Sequence, residues 1–224
     1  MKSSMKVHRV RLGADEYRVI SPARPARGAY LHDRWAASMY VDREASEQLF
    51  AAWWLAARSP RSLVYVPMRG NGAAPDGLPD TAGEPVAPLD LVLVDHRVQF
   101  PVSRWKAVRA RLGAGRLHTV KIPADGFRDE GADVHPLYGT EGFRDYLHFE
   151  RAADTLFVVG SSLAFRQTGA MVRELIADEY AFRRGHGDPH HCVELSSGPW
   201  HRRRTRGRVS ARLHIQYCEG MRAA

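Results

Sequence analysis

Three apolar runs in this chain end in residues able to do chemistry. Leu63–Val66 leads to Arg69-Gly70-Asn71-Gly72, Leu91–Val94 to Asp95-His96-Arg97, and Leu156–Val159 to Gly160-Ser161-Ser162. A glycine followed by two serines lets the backbone turn tightly. Exposed amides at the start of the following helix then favour a phosphate or carboxylate. Ser161 or Ser162 would also serve as an ordinary helix cap. Asp95 at a strand end can hold a ribose hydroxyl, bind a metal or act as a base with His96 beside it. It can equally be satisfied by loop amides. Arg69 and Asn71 can clamp a phosphate, although Asn-Gly is also a common turn dipeptide. Glu174 lies farther along the helix that follows Ser162, where it can act on a sugar or pair with Arg166 or Arg173. If the three strands run parallel, all these groups except Glu174 share one sheet edge, where open α/β sheets bind ligands.

The spacing excludes a serine nucleophile of the elbow type, which needs glycine two places before and two places after the serine. The string VVGSSL resembles a short nucleotide-contacting turn of the sirtuins. The glycine-rich N-terminal motif and the zinc cysteines of that family are missing, so the chain is not assigned to it. "HGDPHHC" raises metal binding, because His190 and Cys192 share one face of a strand and His214 and Cys218 share a face of the next. A Cys₂His₂ set is a permitted zinc site, but this spacing matches no zinc module, and two buried thiols explain the cysteines as well. The strongest charge feature is "HRRRTRGR". Arg202, Arg203, Arg204 and Arg206 could contact a phosphate backbone there, with Trp200 stacking on a base. Arg104, Lys106, Arg109 and Arg111 form a second basic cluster.

These residues need elements to position them. Alternation around "GADE" predicts a hairpin from Lys6 to Ile20, and a further extended piece spans Ala29 to Val41. Asp42 reads as the N-cap of a helix through Arg58, whose Leu49, Phe50, Trp53, Trp54 and Ala57 form one apolar stripe. Buried strands are expected at Ser62–Met68, Leu89–Asp95 and Leu156–Val159, and a further strand at Arg116–Ile122. Ser103 is expected to cap a short helix to Leu112. The longest helix is expected to follow Ser162 and reach Arg184, and two strands around the arginine-rich connection close the chain. The stretch from Pro123 to Tyr146 shows no periodicity. The longest loop, 69–88, is rich in Gly, Pro and Asp and reads as a lid or binding loop.

Apolar strands alternating with helices point to a mainly parallel central sheet flanked by helices, with antiparallel edge hairpins at both termini. At 224 residues and 44% hydrophobic content, the expectation is a single α/β domain over 1–224. No apolar run approaches the ~20 residues of a membrane span. The start of the chain lacks a signal-like apolar core, and two cysteines fit a reducing compartment, so a cytoplasmic protein is expected. The net charge of +8, carried by 29 arginines and four lysines, suits carboxylate or phosphate partners. The first expectation is therefore an enzyme acting by transfer or hydrolysis on a phosphorylated or nucleotide-type ligand. No dinucleotide fingerprint points to redox chemistry, and no motif names a cofactor. The alternatives are an arginine-rich RNA- or DNA-binding module, and an accessory protein that oligomerises through its aromatic residues.

Overall fold

Alternating residues on either side of Gly13, whose φ of +67° suits a residue without Cβ, fold back as β1 (Lys2–Leu12) and β2 (Asp15–Pro22). The computed structural model describes residues 1–34, 36–72, 86–123, 125–127, 140, 142–176, 191–197 and 212–218. A second hairpin, β3 (Ala29–Asp33) with β4 (Ala37–Val41), leads into α1 (Arg43–Arg58). Asp42 caps this helix, its Oδ1 accepting from the Ala45 amide at 2.8 Å. Residue 28 must be glycine for that cap, because a Cβ there would lie 1.7 Å from the Asp42 carboxylate. The apolar stripe of α1 turns inward as expected, with Leu49, Phe50, Trp53 and Ala57 all buried. Trp53 donates its indole N–H to Thr168 Oγ1 at 2.9 Å, joining α1 to the helix α3 (Ser162–Glu174).

The remaining elements are β5 (Ser62–Val66), β6 (Asp90–Asp95), α2 (Trp105–Arg109), β7 (Arg116–Lys121), β8 (His148–Ala152), β9 (Thr155–Gly160), β10 (Cys192–Ser196) and β11 (Arg212–Tyr217). Seven strands form one sheet in the order β7-β1-β2-β5-β6-β9-β8, and four form a second in the order β10-β11-β4-β3. Apolar residues of both sheets, α1 and α3 merge in one core on one face of the large sheet. A smaller cluster on the other face holds α2 through Trp105 and Val108.

This α/β architecture is mixed rather than mainly parallel. Only β2/β5, β6/β9 and β4/β11 pair in parallel, and every other pairing among the described strands is antiparallel. The continuous apolar runs predicted burial on both faces correctly, but burial does not encode strand direction. A parallel pair needs a crossover, usually a helix. The described part of the β5–β6 connection holds only one 3₁₀ turn, Arg69–Asn71, and β6 returns antiparallel to β5.

Other expectations change in detail. The first hairpin sits inside the large sheet, whereas β10–β11 does form an antiparallel edge, that of the second sheet. The strand expected at Arg116–Ile122 forms as β7 at the edge of the large sheet and is exposed, with Leu117 64% exposed. Ser103 lies within a 3₁₀ turn, Val102–Arg104, and does not cap α2. Helix α3 ends at Glu174 and is shorter than α1; Leu175 and Ile176 form a turn, while 177–184 of the expected helix and 73–85 of the expected lid lie outside the described residues.

One buried carboxylate ties the start of β6 to its surroundings. Asp90 accepts at Oδ1 from the amides of Met68 and Arg69, and at Oδ2 from the Tyr65 hydroxyl and Arg109 Nη1, each at 3.0 Å. Arg109 also donates to Thr155 Oγ1 at 3.2 Å, so α2, β5, β6 and β9 meet at this point. Burial, followed by the Asp90 charge and hydrogen bond, pushes the Tyr65 phenol up and keeps it protonated. Asp90→Ala would leave the Tyr65 hydroxyl and two amides without their acceptor, and the largely buried Arg109 without its counter-charge. We expect it to cost about 3–5 kcal/mol in urea unfolding, against less than about 0.5 kcal/mol for Glu47→Ala at the exposed Arg43–Glu47 pair.

Candidate functional site

The parallel pair β6/β9 sets Asp95 opposite Gly160, so Asp95-His96-Arg97 and Gly160-Ser161-Ser162 leave the sheet side by side. Each residue has a definable task. Ser161 caps α3, its Oγ accepting from the Ala164 amide at 3.0 Å. Gly160 makes room for a neighbour, since a Cβ there would stand 2.7 Å from Leu147 Cδ2.

The Asp95 carboxylate is fully buried and its oxygens are occupied. Oδ1 accepts from the Arg97 amide and Nε, both at 2.9 Å, and Oδ2 from Arg97 Nη2 at 2.9 Å and Ser162 Oγ at 3.1 Å. Arg97 Nη2 also lies 3.0 Å from Ser162 Oγ, which closes a three-residue polar cluster. Burial alone would raise the Asp95 pKa. The hydrogen bonds and charge of Arg97, with the Ser162 hydroxyl, outweigh burial and hold it below the usual carboxylate range. An acid in that state is a poor proton acceptor near neutral pH, and it touches no solvent. Asp95 is therefore suited to holding Arg97 and Ser162 in place, rather than to proton chemistry of its own. Arg97 keeps its outer edge in water, with 59% of its side chain exposed and Nη1 unengaged among the described residues. His96 is exposed beside it.

The antiparallel turn at β5/β6 removes Arg69 and Asn71 from this edge. They lie beyond the other end of β6, about 17 Å away by the rise of a six-residue strand. Both are engaged there. Arg69 Nη1 donates to Asp154 Oδ2 at 2.6 Å, and Asn71 Nδ2 donates to the carbonyls of Ala26 (3.0 Å) and Ala29 (2.8 Å). Glu174 is also distant, at the far end of α3, where its carbonyl accepts from His191 Nε2 at 2.9 Å. The expected meeting of Arg69, Asp95 and Ser161 in one pocket is thereby overturned.

His190, Trp200, Arg202, Arg203, Arg204 and Arg206 lie outside the described residues. In the second sheet His214 faces Glu194 and Cys192 faces Gln216; His214 Nδ1 sits 2.5 Å from Glu194 Oε1. Cys218 follows β11 and donates its amide to the Val41 carbonyl. Among the described residues no cluster of His, Cys, Asp or Glu is placed to hold a metal ion. The second basic cluster is partly internal. Arg104 pairs with Asp15 and Tyr17, Arg109 with Asp90, and Arg111 bonds to the Ala107 carbonyl.

Comparison of the chain with protein-family models, with curated proteins and with solved structures finds no match. The site must be read from its own geometry. Sequence reasoning put weight on Asp95 and His96 and passed over Arg97. The available signal was the Asp-x-Arg spacing, because an aspartate readily accepts from the amide two residues on and so brings that side chain back to its own carboxylate.

The depressed Asp95 pKa has a definite sign. Its contribution to stability is present above the unfolded value of about 4 and is lost as pH falls through the lower folded value. Urea unfolding across pH should show Asp95→Asn destabilised by a constant amount from pH 5 to 8. That difference from the parent should shrink below about pH 4.

Proposed function

We propose that this protein is an enzyme acting by transfer or hydrolysis on a phosphorylated or nucleotide-type ligand at the carboxyl edge of β6/β9. The observation that supports this is the Asp95–Arg97–Ser162 cluster: a buried carboxylate fixes a guanidinium whose Nη1 has no hydrogen-bond partner among the described residues, beside a hydroxyl at the start of a helix. The pair is neutral as a whole and the Asp145 carboxylate also acts on Arg97, so an anion gains directed, charge-assisted hydrogen bonds rather than net charge. Arg97 and the first-turn amides of α3 would take the phosphate, with the helix dipole adding to their attraction. Ser162, donating to Asp95 and accepting from Arg97, would hold a fixed polar contact. His96 supplies the exposed imidazole for proton transfer. Asp95 keeps this arrangement rigid, so the phosphate would meet donors already in position.

A thermal-shift titration tests this reading. A mononucleotide at about 100 times its Kd should stabilise the protein by about 2.7 kcal/mol, or some 5–10 °C in Tm. Arg97→Ala and Ser162→Ala should abolish the shift. Nucleic-acid binding that falls steeply with salt and is untouched by Arg97→Ala would instead favour the arginine-rich module.

A further inference from the structure

The β2/β5 pair, the other parallel pair of the large sheet, directs its carboxyl ends to the opposite edge from Asp95. There an open cleft of ≈ 580 Å³ separates the loop after β2 from the loop after β5. Arg24 and Arg27 line it from the first loop, Gly70 and Asn71 from the second, and Glu44 from the first turn of α1. We propose that this cleft is a second binding site, one that takes a small phosphorylated molecule carrying hydroxyl groups.

The arginines and the backbone beneath them carry the inference. Arg69, Arg97, Arg104 and Arg109 each pair with a carboxylate of the chain, buried for Arg97 and Arg109 and exposed for Arg69 and Arg104. Arg24 and Arg27 are exposed and make no ion pair or side-chain hydrogen bond among the described residues. The loop that bears them is nevertheless held firmly. Gln48 donates through Nε2 to the Arg24 carbonyl at 2.8 Å and accepts at Oε1 from the Ala26 amide at 3.0 Å. Asn71 donates both Nδ2 hydrogens to the Ala26 and Ala29 carbonyls, and Ala23 donates its amide to the Ser4 carbonyl at 2.9 Å. Asn71 is thus a positioning residue here, with no amide hydrogen left for a ligand.

The result is two guanidinium groups without an ion pair among the described residues, on a braced main chain, with Pro25 and Pro67 stiffening the two walls. The main chain needs no further ordering on binding, which leaves the two side chains as the groups a ligand would order. Guanidinium groups favour phosphate oxygens through paired donors. Glu44 repels a bare anion but accepts from hydroxyls, so it selects a ligand with the phosphate at the arginines and the hydroxyls toward α1. The cleft volume falls within the range of small-molecule sites, roughly 300–1,000 Å³. The six residues of β6 separate it from Arg97, and it does not depend on the reading of that edge.

Isothermal titration of the full chain at low salt with ribose 5-phosphate, ribose and inorganic phosphate tests the proposal. Ribose 5-phosphate should bind most tightly. Arg24→Ala/Arg27→Ala should weaken it by about tenfold or more, equal to about 1.4 kcal/mol, with Tm unchanged because the loop is held through its backbone. Glu44→Gln should remove the advantage of ribose 5-phosphate over inorganic phosphate, and the binding that persists in Arg97→Ala should be weakened as much by the added Arg24→Ala/Arg27→Ala changes as in the parent. Absence of binding at millimolar ribose 5-phosphate would overturn the proposal. So would binding retained in the double arginine variant, or binding lost in Arg97→Ala alone, which would place the phosphate at β6/β9.

Discussion

The antiparallel pairing of β5 with β6 is the constraint on which the placement of the polar loops depends. It reverses chain direction in the middle of the seven-stranded sheet. The parallel pairs on either side, β2/β5 and β6/β9, therefore point opposite ways. Had β5 and β6 been parallel, Arg69, Asp95 and Ser161 would have opened onto one crevice. Instead each pair has a carboxyl edge of its own. Asp90 reinforces the reversal by accepting hydrogen bonds from the chain as it leaves β5 and from Arg109 of α2.

Asp90 and Asp95 stand at the two ends of one short strand and show how similar groups acquire different uses. Both carboxylates are buried and both meet an arginine. The arginine on Asp90 is itself largely buried, with its side chain 16% exposed, and the contact joins elements of the fold. The arginine on Asp95 leaves most of its surface in water, so the same pairing presents a fixed cation edge to solvent. Burial of the guanidinium, rather than of the carboxylate, distinguishes the two pairs: one is enclosed in the fold and the other opens to solvent. At the other edge, Gln48 braces the main chain at Arg24 and Ala26, while the guanidinium groups of Arg24 and Arg27 extend into solvent.

Much of the local structure was legible in the sequence. Asp42 with its apolar stripe marked α1, alternation around Gly13 marked the first hairpin, and apolar runs marked β5, β6 and β9. Each is a short-range signal in which propensity and burial pattern agree. Direction was not legible, because the residues of a strand buried on both faces look alike either way. The β8 strand escaped because its residues, HFERA, are half polar and follow a stretch without period. The neighbourhood of Asp95 and Gly160 was readable because β6 and β9 happen to be parallel, as the reading assumed. Arg69 and Asn71 were misplaced by the same assumption applied to β5. The internal use of Arg104 and Arg109 was hidden because their partners, Asp15 and Asp90, are distant in sequence.

Strand direction is also the point most open to direct measurement. Across an antiparallel ladder, facing Cα atoms in alternate pairs approach to about 4.5 Å, which brings their Hα atoms into close contact. Nuclear Overhauser spectra of the labelled protein should show strong Hα–Hα contacts either for Leu63–Val94 and Tyr65–Val92 or for Val64–Leu93 and Val66–Leu91. Their absence, with contacts instead in a parallel register between 62–66 and 90–95, would contradict the account and return Arg69 to the same edge as Asp95.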